Sequence, residues 1–442
     1  MIMKKNRIAL TLILAGVFPL TGQTQESWTL RQCVEYAIAN NIAIRQTANS
    51  VIQNETELNT SKWMRLPDLN GSTNQNFSWG RATSPIDNTY TDTNNSNTNF
   101  SLSTNVPLFT GFQIPNQYEL SKLNLKAAIE DLNKAKDDMA LNVASAYMQV
   151  LFNQELSKVA DNQVSLSREQ VNRMAQLSEL GKASPAQVAE AKARLAQDEL
   201  SAVQADNNYR LALLDLSQLL ELPSPEGFTI ALPDAEPEFV PLIAPDEVYE
   251  QAALSKPAIL AAQYRLEGSQ KSIRIAQSGY YPQLSFSAGL STSFYTMNGQ
   301  SGSSFSSQME NNLNRYLGFN LSIPLFNRFT TRNRVRLAQL QQTQFSLQVD
   351  NIKKTLYKEI QQAWYSALAA ESKYKSSSAA VAANEETFHL TGEKFENGKA
   401  TSIEYNEAKF NLMRAQSDRI QAKYEYLFRT KVLDFYKGVP IQ

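Results

Sequence analysis

Residues 99–109 read NFSLSTNVPLF and residues 316–326 read YLGFNLSIPLF, 217 positions apart. Both alternate apolar with small polar side chains, and both close on Pro-Leu-Phe. A period of two is the signature of a strand with one apolar face. The surroundings are of another kind, since no Gly or Pro occurs from residue 116 to residue 180. A helix of that length extends roughly 95 Å at about 1.5 Å per residue.

The repeated phrase belongs to a longer duplication. At an offset of 217, Leu123 falls on Leu340, Tyr147 on Trp364, Glu169 on Glu386, Gly181 and Lys182 on Gly398 and Lys399, Ser184 on Thr401, and Glu190 on Glu407. At an offset of 215, Ala37 falls on Ala252, Ile44 on Ile259 and Pro67 on Pro282. Two homologous halves are expected, 23–222 and 246–442, joined by a Pro-rich linker at 223–245. Each half is predicted to hold a helix (28–64; 246–277), two strands (66–80 and 98–109; 282–295 and 315–326) and a long helical hairpin. Residues 80–98 and 297–314 are expected to be long polar loops.

Composition removes several classes of function. The 442 residues carry 42 Lys+Arg against 43 Asp+Glu, which gives no support to a nucleic-acid partner. One cysteine, Cys33, and one histidine, His389, cannot make a disulfide or a Cys/His metal site within the chain. No nucleophile–base set and no phosphate-binding Gly loop is present, so neither a catalytic residue nor a cofactor is expected. His389 is expected to be a solvated or packing residue. Residues 1–22 have the form of an export signal, with Lys4, Lys5 and Arg7 before an apolar run at 8–20 that is too short to span a bilayer. Cys33 does not follow that run directly and is expected to be a packed helix residue.

The heptad spacing of Leu125, Ile129, Leu132, Met139, Val143, Ala146 and Val150 predicts a coiled-coil seam, repeated by Val349, Leu356, Ile360, Ala363 and Ala367. Leu284, Phe286, Ala288, Leu290, Thr292 and Phe294 alternate with small polar residues, as do Leu317, Phe319, Leu321, Ile323 and Leu325. The first half repeats the pattern with Leu69, Phe77 and Trp79, then Phe100, Leu102, Val106 and Leu108. A soluble sheet packed on helices would alternate in the same way. Strand length, polar connections and the export signal favour a membrane barrel. Four strands cannot enclose a lumen, so copies must combine: two would give eight strands and three would give twelve.

The two-fold repeat, the strands ending in Val/Ile-Pro-Leu-Phe, and hairpins turning at Leu180-Gly-Lys-Ala-Ser and Asn397-Gly-Lys-Ala-Thr resemble the TolC family of outer-membrane efflux ducts. Residues 28–41, WTLRQCVEYAIANN, are similar to that family's opening helix. The resemblance implies a mainly α fold with a transmembrane β-barrel. It further implies a homotrimer with one twelve-stranded barrel in the outer membrane, continuous with a periplasmic α-helical barrel. The implied partners are a periplasmic adaptor, an inner-membrane transporter and the lipid bilayer, in a tripartite efflux pump or a type I secretion system. A periplasmic coiled-coil adaptor is the alternative, and an exported helical enzyme using Glu404 and Glu407 as an acid/base pair is a weaker one.

Gly181 and Gly398 suit left-handed helix ends, and Ser184 and Thr401 suit the caps of the returning helices. On the resemblance these turns, with Lys182 and Lys399, form a periplasmic tip that an adaptor docks. Glu404 and Glu407 share a helix face at i and i+3. The resemblance makes them, with Glu190, candidates for the acidic lining of the duct mouth. Gln187 stands opposite Glu404 in the repeat and departs from the acidic pattern. Phe395 takes a place where the family often has a tyrosine whose hydroxyl helps latch the closed state.

Overall fold

The structure is a computed structural model and describes residues 27–83, 89–232, 239, 241–297 and 302–441; the expected signal segment lies outside these. The first half contains α1 (Leu30–Asn40), α2 (Ile42–Trp63), β1 (Asn70–Thr83), β2 (Tyr90–Thr110), α3 (Gln113–Glu179) and α4 (Pro185–Leu219). The second contains α5 (Pro245–Ser255), α6 (Pro257–Gln277), β3 (Gln283–Met297), α7 (Phe305–Asn311), β4 (Asn314–Ser322), α8 (Thr330–Glu396) and α9 (Ser402–Tyr436). Helices α3 and α8 each have 67 residues, and α4 and α9 each have 35. At about 1.5 Å per residue the two long helices extend roughly 100 Å.

The helices expected at 28–64 and 246–277 are each broken once, at matching positions. Asn41 is extended (ψ 132°) and its amide oxygen accepts from the Ala43 N–H at 2.9 Å, capping α2. Lys256 has ψ 127° because Pro257 follows it, and a residue before proline is pushed out of the helical region. The long helices begin earlier than the expected 116 and 333. Pro115 lies in the first turn of α3, where its missing N–H would have had no helical partner.

The four strands form one antiparallel sheet in the order β1-β2-β3-β4. Register brings Leu102 opposite Leu290, Phe286 opposite Phe319, and Leu284 opposite Leu321, so the apolar alternation is continuous across the strands. Residue 108 is a bulge between Pro107 and Phe109; it shifts the parity and sets Phe109, rather than Leu108, opposite Leu284. The other face is polar: Ser72 and Ser101 hydroxyls lie 2.7 Å apart, and Ser78 Oγ donates to Asn95 Oδ1 at 2.8 Å. Gly289 is opposite Tyr316, and a Cβ there would come within 2.7 Å of the Tyr316 ring. The ring occupies the space that a side chain would take.

The expectation of a loop across 80–98 is corrected: β1 and β2 pair as far as Thr83 and Tyr90. Polarity misled the reading, because polar residues there pair across the ladder instead of marking a turn, Asn95 accepting from Ser78 and Ser96 from Gln75. The segment 297–314 likewise contains α7, whose end is tied to β3 where Asn312 Nδ2 donates to the Ser293 carbonyl at 2.7 Å.

At its helical end the sheet is ringed by exposed apolar side chains, among them Trp63, Leu66, Leu69, Phe112, Tyr281, Leu325, Phe326 and Phe329. Edge-to-face pairs link Phe109 to Phe112, Phe112 to Tyr281 and Phe326 to Phe329. The connection into α3 turns through left-handed Gly111 (φ 61°) and Phe112 (φ 65°), and that into α8 through Arg328 (φ 54°) and Phe329 (φ 60°). A left-handed conformation costs an L-residue with a side chain roughly 1–2 kcal/mol.

Below the sheet, α3 lies between α2, α4 and α6, while α8 packs on α6 and α9. The heptad positions Val143, Val150, Val349, Leu356, Ile360, Ala363 and Ala367 are buried, whereas Ile129 is exposed. Cys33 is fully buried among Val34, Val143, Tyr147 and Leu216, and burial pushes its thiol up to about 12. The linker is pinned to this core by a parallel bridge between Trp28 and Ile230, with the Tyr147 hydroxyl donating to the Ala231 carbonyl at 2.6 Å.

Candidate functional site

The two hairpin turns have the same construction. Gly181 (φ 70°) and Gly398 (φ 69°) adopt the left-handed conformation. Lys182 N–H returns to the Leu177 carbonyl at 2.8 Å, and Lys399 N–H to the Lys394 carbonyl at 2.7 Å, closing each long helix with a Schellman turn. Each returning helix opens with a capping box. Ser184 N–H donates to Gln187 Oε1 at 2.8 Å while Gln187 N–H donates to Ser184 Oγ at 3.3 Å. In the second turn Thr401 N–H donates to Glu404 Oε2 at 2.7 Å, and Glu404 N–H donates to Thr401 Oγ1 at 3.3 Å.

This geometry gives Gln187 and Glu404 a shared local task, and either a carboxylate or an amide oxygen performs it. The Thr401 backbone N–H, followed by its hydroxyl, holds the Glu404 carboxyl below its ordinary value. Glu407 is exposed one turn further along α9. Glu190 belongs to α4, and its Oε2 accepts from the Ser402 hydroxyl at 3.4 Å, bridging one hairpin to the other. The structure thus brings Glu190 beside the start of α9, while Glu404 points back onto its own turn. Lys182 and Lys399 are exposed at the turns.

Behind the turns the hairpins meet around a small cavity lined by Gln170, Met174, Gln187, Glu190, Tyr405 and Lys409, among others. Phe395 stacks on Tyr405 with centroids 4.9 Å apart, and Phe388 lies 5.3 Å from the same ring. Such contacts contribute about 0.5–1.5 kcal/mol each. Arg173 on α3 donates to Glu396 Oε1 at the end of α8, 2.8 Å away. Deeper still, Lys409 is 5% exposed. Its ammonium donates to Ser167 Oγ at 2.6 Å, to Asp198 Oδ2 at 3.3 Å and to the Gln163 carbonyl at 3.3 Å, and the Ser167 hydroxyl donates to the same Asp198 oxygen. One cation from α9 therefore engages both helices of the other hairpin.

Sequence reasoning did not find Lys409, Asp198, Ser167, Tyr405 or the Arg173–Glu396 pair. A buried Lys has the same letter as a solvated one, and its repeat counterpart Lys192 is exposed. His389 is largely exposed on α8 with its Nδ1 4.0 Å from a Glu393 oxygen. Among the described residues no group of His, Cys, Asp or Glu is arranged to hold a metal ion. No described helix is long and apolar enough to cross a membrane.

Known proteins share this fold. The chain is 22% identical over 433 residues to the outer membrane efflux protein BepC of Brucella suis, covering 97% of this chain and 89% of that protein. It is 21% identical to the outer membrane protein TolC of Salmonella enteritidis, over 92% of this chain and 82% of that one. The Campylobacter jejuni CmeC outer membrane channel superposes with a TM-score of 0.81 at 17% identity, over 93% of this chain and 86% of that chain. The family profile described as outer membrane efflux protein matches residues 33–221 and 248–438, one span in each half of the duplication. With strands, hairpins and repeat all accounted for by that match, the chain belongs to the outer membrane efflux protein family.

Proposed function

We propose that three copies of this chain close into a twelve-stranded barrel in the outer membrane, continued into the periplasm by the long helices, and act as the passive exit duct of a tripartite efflux pump or a type I secretion system. The observation that carries the reading is the sheet: four strands with free edges at β1 and β4, one apolar face, and one face of Ser and Asn. Free edges are not tolerated in lipid, so closure with other copies satisfies the backbone while the polar faces enclose water. Below the sheet, Leu337, Leu340 and Leu347 are exposed on α8, and Leu200, Val203 and Leu211 on α4, as helix surfaces that await neighbours do.

In this reading the hairpin turns meet at the periplasmic end, where Gly181, Lys182, Ser184, Gly398, Lys399 and Thr401 present the surface for an adaptor bound to an inner-membrane transporter. Glu404, Glu407 and Glu190, with Gln187, line the mouth. The duct performs no chemistry of its own. Native mass measurement of the detergent-extracted protein tests the assembly: a trimer is expected, and a stable folded monomer or dimer refutes it.

A further inference from the structure

From Asn311 to Val349 the chain has five arginines, at 315, 328, 332, 334 and 336, and no Asp, Glu or Lys. Four of them follow β4 directly and are exposed. Among the described residues no carboxylate lies within ion-pair distance of any of the four. The duplication supplies an internal comparison, since the positions of Arg328, Arg332, Arg334 and Arg336 are filled in the first half by Gly111, Pro115, Gln117 and Glu119. Charge of one sign has accumulated here in one copy only.

Two features make this placement costly. The first turns of α8 are where the helix dipole disfavours cations. Arg328 also holds the left-handed conformation (φ 54°) that its counterpart assigns to glycine. Among the described residues no ion pair offsets the charge. Immediately toward the sheet lie the exposed Leu325, Phe326 and Phe329 of the apolar rim. The polar band of a leaflet is about 5–7 Å deep, and Arg332 and Arg336, which share a face of α8 at i and i+4, lie about 6 Å apart along the helix axis, whereas Arg334 lies about 160° round the helix from both. Arginine stems can lie along the apolar rim with the guanidinium held at phosphate level.

We infer that Arg328, Arg332 and Arg336 form a collar that binds the phosphates of anionic phospholipids in the periplasmic leaflet, fixing the height at which the sheet sits in the membrane. The inference rests on the outer-membrane reading of the sheet and adds a lipid class to it.

The test uses the full-length protein in phosphatidylcholine vesicles with a trace of spin-labelled phosphatidylglycerol or spin-labelled phosphatidylcholine, comparing the motionally restricted fractions. The parent is expected to prefer the anionic probe by about fivefold, and to lose most of that preference in 1 M salt. Replacing these three arginines with Gln should bring the ratio near one, replacing them with Lys should retain most of it, and Arg334→Gln, on another face of α8, or Arg315→Gln, at the other end of β4, should leave it intact. No preference in the parent, persistence in the Gln variant, or a preference that follows Arg315 or Arg334 overturns the collar. If the arginines instead face the lumen or a neighbouring copy, the Gln variant changes ion selectivity or oligomer stability with an unchanged lipid ratio, which overturns it too. If the Gln variant does not assemble, the parent in high salt decides, and a salt-insensitive ratio refutes the proposal. Failure of the trimer itself would appear separately, in the native mass.

Discussion

Removing the Lys409 ammonium should loosen the junction between the two hairpins, and the structure sets the scale. The side chains of Lys409 and Asp198 are 6% and 13% exposed, so Lys409→Met strands a carboxylate in a nearly dry site. Breaking a buried pair from one side costs about 3–5 kcal/mol; the residual access at Asp198 favours the lower end, about 3 kcal/mol. Asp198→Asn should cost a similar amount, leaving the ammonium with Ser167 Oγ and one carbonyl. The double change Lys409→Met with Asp198→Leu removes both charges and should recover most of the loss, because the desolvation cost disappears with the attraction. The titration reads the cost of burying the ammonium, which the attraction to Asp198 offsets only in part. Burial lowers the Lys409 pKa below 10.5, against the opposing pull of Asp198. Below that lowered value folded and unfolded chains are both protonated, and the cost of burying the charge is fully present. Between it and 10.5 the unfolded chain binds more protons, so stability rises with pH across that window, and Lys409→Met should abolish the rise. Hydrogen exchange of amides in 160–200 and 400–415 reads the local opening free energy. Single variants with parental protection, or a double variant as unprotected as the sum of the singles, would refute the argument.

Four further outcomes are expected. Glu404→Gln keeps the capping box, as Gln187 does in the first turn, whereas Glu404→Ala loses it; only the latter should raise proteolysis at the turn, and equal cleavage of both contradicts the assignment. Because Glu404 is held below its ordinary carboxylate value, the charge's contribution to the cap is complete above that value and is lost as pH falls through the lowered one; turn cleavage by an acid protease should rise modestly in that window in the parent and stay flat in the Gln variant. For the mouth, Glu407→Gln with Glu404→Gln should weaken cation selectivity and divalent block in planar bilayers, and unchanged recordings would remove both residues from the lining. Gly398→Ala should cost about 1 kcal/mol for its left-handed backbone alone, having open space around the new Cβ, while Gly111→Ala should cost clearly more because its Cβ would meet the Ser278 carbonyl oxygen at 2.6 Å; thermal unfolding in detergent ranks them.

Much of this architecture was legible because it is periodic. The alternation in 284–294 and 317–321 showed which face of the strands is apolar, though β4 ends at Ser322 and leaves Ile323 and Leu325 of the strand expected to reach 326 outside the sheet. Gly181 and Gly398 marked the turns because a left-handed helix end has few other occupants. Where the reading departed from the structure, local chemistry outweighed pattern. The Asn-rich stretch after residue 90 read as loop because cross-strand hydrogen bonds between polar residues leave no periodic trace. The bulge at residue 108 shifted the parity that strict alternation gave to Leu108. Of the tip, the caps were visible as Ser184 and Thr401, but the contribution of Glu404 to its own cap was not separable from a role in the mouth. The Lys409 network depends on residues 163, 167, 198 and 409 meeting across three helices, and no spacing along a chain announces that.

The equal lengths of α3 and α8 make the molecule a gauge. Each added or removed residue shifts a turn by about 1.5 Å and swings it by about 100°, so a single deletion displaces a tip less than it misaims it. Seven residues taken from a long helix and seven from its returning partner nearly complete two turns, restoring the aim while shortening that hairpin by about 10 Å. Made in both halves, such a cut would produce a shorter duct with its tips still level. Made in one half, it would leave two kinds of tip alternating at different heights, and a partner that reads both together would find no common plane.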